Sequence, residues 1–137
     1  MVKITNLTQP SVPDEPLDPA KLEFGKMFTP NLFITEYRSG EWNNPRIEPL
    51  GPFALHPAST VFHYGQTVFE GLKAFRQDDG HVVLFRPEMN AKRLRHSSDR
   101  LAIPQIDDAF FLAAGDRWHD GRFELDQRPD PGGGLHL

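Results

Sequence analysis

A chain of 137 residues is long enough for one domain with a real core and too short for two ordinary ones. Its 38% hydrophobic and 25% charged residues are those of a globular protein, while 13 Pro and 11 Gly imply that some of the chain is loop or tail. A formal charge of −4 argues against a nucleic-acid binder, which needs surplus Lys and Arg, and the lack of Cys excludes disulfides, thiolate metal sites and cysteine nucleophiles. No apolar run of signal-peptide length follows Met1–Asn6, and no stretch approaches the roughly 20 apolar residues that span a bilayer, so the expectation is a cytoplasmic protein with no membrane partner.

Residues 1–20 carry Pro10, Pro13, Pro16 and Pro19 at an even spacing with acids between them, and proline's fixed φ and missing N–H predict an extended, polyproline-like arm. The arm has two readings, a ligand for a proline-binding module or a segment lying on the protein's own body; the second is favoured because such spacing arises readily from composition. Next, Leu32–Tyr37 reads as a strand, Ser39–Gly40 and Asn43–Pro45 as turns, and Arg46–Leu50 as extended, giving a hairpin and then a meander. A second hairpin is predicted from Gly71–Arg76 and His81–Arg86, joined by Gln77–Gly80 with its Asp and Gly. Pro87 opens a helix to about Leu101, with Ala91, Leu94, Ser98 and Leu101 on one face and Asn90, Arg93, Ser97 and Arg100 on the adjoining polar face. A further helix starts near Asp107 and runs through Ala114. From Gly115 to Leu137 there is no Val, Ile or Met, so residues 115–137 are expected to be a disordered tail, too poor in apolar surface to offset the entropy of ordering.

The six His fall into no HxxxH or HExxH spacing, so no metal site is expected, and Walker, GxGxxG and GxSxG motifs are absent. Arg93, with Ser97 one turn on, could grip a phosphate with its guanidinium fork; read from spacing alone it is as readily one more solvated charge among Lys92, Arg95 and Arg100. Phe62, Tyr64 and Phe69, interleaved with Gly65 and Gly71, would suit either an apolar ligand wall or a core cluster.

The run from His56 to Arg76, HPASTVFHYGQTVFEGLKAFR, resembles the signature of branched-chain amino-acid aminotransferases, which are fold-type IV pyridoxal-phosphate (PLP) enzymes. Phe24–Lys26, Leu84–Pro87 and Asn90–Leu101 agree with it in order and spacing, so the resemblance covers residue 24 to about 114. It implies the small domain of that fold over residues 21–114: an α+β domain with a mixed, mostly antiparallel sheet and helices on one face. It further implies that Arg93 grips the PLP phosphate, and that Phe24, Tyr64 and Phe69 line the pocket for an aliphatic substrate side chain. Gly71 would allow close approach, with Lys73 continuing the motif. The implied reaction passes an amino group from Leu, Ile or Val to 2-oxoglutarate, with amino acid and 2-oxo acid as small-molecule partners in a homodimeric family.

The chain departs from the family's pattern in two ways. PLP chemistry needs a Schiff-base lysine, which in the family lies in a second, larger domain. Lys3, Lys21, Lys26, Lys73 and Lys92 all lie within or before the small-domain match, so the expectation is a truncated enzyme with no catalytic lysine of its own, inactive alone. The resemblance also stops near Ala114, and the Gly-, Arg-, Asp- and Pro-rich residues beyond it suggest a frameshift. Two other readings stay open: another fold-type IV fragment, such as a D-amino-acid aminotransferase or aminodeoxychorismate lyase, or a non-catalytic binding module. The FEGLKAF run with the upstream HPAS segment favours the branched-chain group.

Overall fold

The computed structural model describes residues 3–7, 28–118, 123–126 and 135–136, of which 116–118, 123–126 and 135–136 are described by backbone alone. Phe24 and the proline run Pro10–Pro19 lie outside the described residues. The fold is α+β, and the chain divides into two compact units, residues 3–51 and 52–137.

The first unit is a sheet in the order β1-β3-β2, from β1 (Thr5–Asn6), β2 (Asn31–Arg38) and β3 (Glu41–Pro49). β2 and β3 are antiparallel, and Arg38 pairs with Glu41 across the two-residue turn Ser39–Gly40. Both turn residues have positive φ, 55° and 88°, the left-handed pair that matches the twist of the flanking strands. The turn expected at Asn43–Pro45 is instead a bulge within one long strand. Ile34 pairs with Arg46 and Glu36 with Asn43, so Thr35 alone faces both Asn44 and Pro45. Pro45 has no N–H for the ladder, and Asn44 takes a left-handed φ of 52°. The Thr35 hydroxyl donates to the Asn43 carbonyl at 2.9 Å and helps to hold the bulge. On one face Arg46 bridges two carboxylates, its Nε 2.7 Å from Glu48 and its Nη1 3.3 Å from Glu36, while Arg38 Nε donates to Glu36 at 2.8 Å. Ile47 is buried, and β1 adds in parallel to the strand that carries it.

The second unit contains α1 (Thr60–Tyr64), β4 (Lys73–Arg76), β5 (Val82–Phe85), α2 (Pro87–Arg100) and α3 (Asp108–Trp118). β4 and β5 form the expected hairpin, closed by Gln77 N–H to the His81 carbonyl at 2.7 Å and by His81 N–H to the Asp79 carboxylate at 3.0 Å. Neighbours along each strand, Ala74 with Phe75 and Val83 with Leu84, are buried together. Successive strand residues face opposite ways, so this hairpin is covered on both faces at its centre. Pro87 is fully buried at the first turn of α2, where its missing N–H costs nothing, and Ala91 and Ser98 are buried on the same helix. Asn90, expected on the polar face, is buried as well.

Asp107 caps α3, its carboxylate accepting from the Ala109 and Phe110 N–H groups at 2.9 and 3.3 Å. Arg95 Nη1 lies 2.9 Å from Asp108 Oδ1, an ion pair between α2 and α3 that lacks hydrogen-bond alignment. α3 runs four residues past its expected end at Ala114. Two short strands complete the sheet: β6 (Phe123–Asp126) pairs in parallel with β5, and β7 (Leu135–His136) antiparallel with β4. The resulting order is β6-β5-β4-β7.

Candidate functional site

Residues 56–71 reach α2 through a tight, self-bonded turn. The Ser59 N–H and hydroxyl both donate to the His56 carbonyl, at 2.9 and 2.7 Å, and Ala58 N–H donates to His56 Nδ1 at 3.1 Å. His56 Nδ1 therefore carries no proton. His63 Nε2 lies 2.8 Å from the Pro57 carbonyl, which can only accept, so that nitrogen does carry one. α1 stops at Gly65 in the left-handed conformation (φ 59°, ψ 28°). The side chain of Gln66 then donates to the Leu101 carbonyl at 2.8 Å and ties the segment to the C-terminal end of α2.

At the end of this segment Glu70 meets α2. Arg93 clasps its carboxylate with two parallel bonds, Nε to Oε2 at 3.2 Å and Nη2 to Oε1 at 2.5 Å. Asn90, one turn earlier on the helix, donates from Nδ2 to Glu70 Oε1 at 2.8 Å and to the Gly71 carbonyl at 2.6 Å. The Glu70 side chain is 11% exposed and that of Arg93 57% exposed, so the carboxylate is the inner partner and the guanidinium the outer one. Hydrogen bonding to Glu70 raises the Arg93 pKa above the ordinary guanidinium value; partial burial opposes this and Coulomb attraction adds to it. A guanidinium has five N–H donors, and the clasp engages its Nε/Nη2 edge. The Nη1/Nη2 edge points away from Glu70, the geometry that suits a bidentate phosphate.

The aromatic residues are presented outward. Tyr64 is 83% and Phe69 84% exposed, and Phe62 is exposed too, so within this unit these rings do not form the core cluster that was one reading of them. Phe69 and Gly71 flank Glu70 in the chain, which sets an apolar ring and an open backbone beside the carboxylate that Arg93 holds. A Cβ at Gly71 would meet the Phe69 ring at 3.6 Å, an ordinary contact. Lys73 is half-buried at the start of β4. Sequence reasoning singled out Arg93 but missed Glu70 as its partner and Asn90 as the second donor to Glu70. Glu70 is 23 residues from Arg93, beyond any helical or strand periodicity; the available signal was that both lie inside motif segments. Among the described residues no group of three His, Asp or Glu is placed to hold a metal ion. No helix of the described residues is long and apolar enough to cross a membrane.

No protein-family model matches the chain. Individual relatives do. The chain is 52% identical over 98 residues to branched-chain-amino-acid transaminase 1 of Bacillus subtilis, covering 71% of this chain and 28% of that protein. It is 50% identical over 90 residues to the branched-chain-amino-acid aminotransferase of Mycobacterium tuberculosis, covering 65% of this chain and 24% of that one. With the cytosolic branched-chain-amino-acid aminotransferase of Caenorhabditis elegans it shares 39% identity over 94 residues, 68% of this chain and 23% of the relative. The chain thus spans about a quarter of the length of the curated relatives it matches.

Proposed function

We propose that this chain, a relative of the branched-chain-amino-acid aminotransferases, supplies one wall of a PLP site that takes branched-chain amino acids. The observation that carries the reading is the clasped Arg93, whose inner edge is fixed by a carboxylate and whose outer edge is open to an anion. PLP, when bound, supplies the electron sink that lets an amino group pass between an amino acid and a 2-oxo acid. Arg93 holds the phosphate of that cofactor by paired, charge-assisted hydrogen bonds. Tyr64 and Phe69 exclude water from an aliphatic side chain, and Gly71 leaves room for the ligand beside them. The outward exposure of Tyr64 and Phe69 suits that role, because a pocket wall, unlike a core cluster, keeps a free face.

On this reading residues 21–114 work as an aminotransferase small domain, the donors are Leu, Ile or Val, and the acceptor is 2-oxoglutarate. An apolar wall separates such donors by only about 1–3 kcal/mol per methylene. The Schiff-base lysine comes from outside these 137 residues, and a polypeptide of these residues alone does not turn over substrate. The C. elegans relative is named cytosolic, which supports a cytoplasmic location.

The test is calorimetric titration of the chain with PLP and with pyridoxal, which lacks the phosphate. PLP is expected to bind more tightly, and Arg93→Ala to weaken PLP by about tenfold to a hundredfold, the worth of hydrogen bonds to a charged group, while leaving pyridoxal unchanged. Equal affinity for the two compounds would remove the phosphate-holding role of Arg93.

A further inference from the structure

Glu70 is not explained by a site whose business is to hold an anion, because a carboxylate there repels the ligand. Its surroundings show that it is held in place. It accepts from Asn90 Nδ2 and from two nitrogens of Arg93, and its side chain is nearly buried. Asn90, itself buried, uses the same Nδ2 to donate to the Gly71 carbonyl, so the amide is anchored to the backbone of the segment that carries Glu70.

We propose that Glu70, held by Asn90, is a positioning residue for Arg93: it fixes the plane of the guanidinium so that the Nη1/Nη2 edge is set for a phosphate before the ligand arrives. A long, exposed Arg side chain otherwise samples many rotamers, and stopping that motion opposes binding. The clasp stops it in advance. The cost is Coulomb repulsion between the carboxylate and the incoming anion, which solvent and salt screen at an exposed guanidinium. Two opposed effects therefore meet at one residue, and a substitution separates them by sign. The inference rests on Arg93 being an anion site, and its test distinguishes failure of that reading from failure of the positioning role.

The experiment titrates the whole chain with inorganic phosphate by calorimetry for the native sequence, Arg93→Ala, Glu70→Gln and Glu70→Asp, and follows the Nε–Hε resonance of Arg93 by NMR in the three chains that keep it. Glu70→Gln keeps the volume but removes the charge and turns an amide donor toward the clasp; Glu70→Asp keeps the charge but shortens the reach. Positioning predicts that both weaken phosphate by about fivefold, on the scale of one immobilised side chain, and that the unliganded Arg93 signal narrows toward that of a freely moving guanidinium. A merely structural role would lower the unfolding midpoint without moving phosphate affinity in the folded protein. Tighter binding in Glu70→Gln, or unchanged binding in both variants, would overturn the positioning role while Arg93→Ala still abolished binding. If Arg93→Ala bound phosphate as the native chain does, the anion site itself would be wrong and the proposal would fall with it.

Discussion

Replacing Gly115 by Ala asks whether α3 truly continues past Ala114 into the stretch whose composition resembles a tail. Gly115 lies inside the helix Asp108–Trp118, and a Cβ built on it meets nothing closer than Leu84 Cδ1 at 4.0 Å, an ordinary contact with a buried side chain. In a helix interior Ala is favoured over Gly by about 0.8–1 kcal/mol, and partial burial of one methyl against Leu84 adds a few tenths more. The expected gain is about 1 kcal/mol. With a urea dependence of about 1–3 kcal/mol/M, the midpoint should rise by about 0.3–1 M. The assay is urea unfolding followed by helical ellipticity, since every helix among the described residues lies within 52–137. Amide hydrogen exchange across 108–118 checks that the added protection is local. A midpoint within error of the native value would refute the helix at that position, since in a disordered tail the substitution alters neither state.

Other expectations follow from single contacts. Asn90→Leu should cost about 2–4 kcal/mol, the sum of one hydrogen bond to a charged group and one to a buried carbonyl; a urea midpoint shift worth under about 0.5 kcal/mol would mean that water replaces the amide freely. Gly65→Ala should destabilise by about 1 kcal/mol through left-handed backbone strain alone, because no atom lies within 4 Å of the new Cβ; thermal unfolding measures it, and Gly65→Asn should lose less. Glu36 is held below its ordinary 4.5 by hydrogen bonds to Arg38 first, then by Coulomb attraction to Arg38 and by Arg46, with burial opposing. Its contribution to folding is present at neutral pH and lost as pH falls from about 4.5 through the lower folded value; titration of its carboxyl carbon by NMR should show a midpoint below 4.5, and Arg38→Ala should move it upward.

Much of the fold could be read directly. Pro87 at the head of α2, the turn before His81 and the acidic start of α3 each follow from one residue's covalent or electrostatic character, and each stands where that character put it. What escaped depended on partners distant in the chain. Asn43–Pro45 has turn composition, yet pairing with β2 across the whole strand absorbs it as a bulge. α1 is only five residues long, too short to show a period. Asn90 looked like a surface residue because helical spacing says which residues share a face but not which face a neighbouring segment covers; here Glu70 and Gly71 cover it. At the candidate site the motif supplied Arg93, Tyr64, Phe69 and Gly71, while the carboxylate clasp needed the fold.

The central claim, that these residues form one wall of a branched-chain aminotransferase site, is tested most directly by a chimera. Residues 21–114 would replace the matching segment of the Bacillus subtilis relative, and transamination between leucine and 2-oxoglutarate would be assayed alongside D-amino acids. The account predicts that the chimera turns over leucine and that Arg93→Ala within it weakens PLP retention. A folded chimera that ignores leucine, or prefers a D-amino acid, would contradict it.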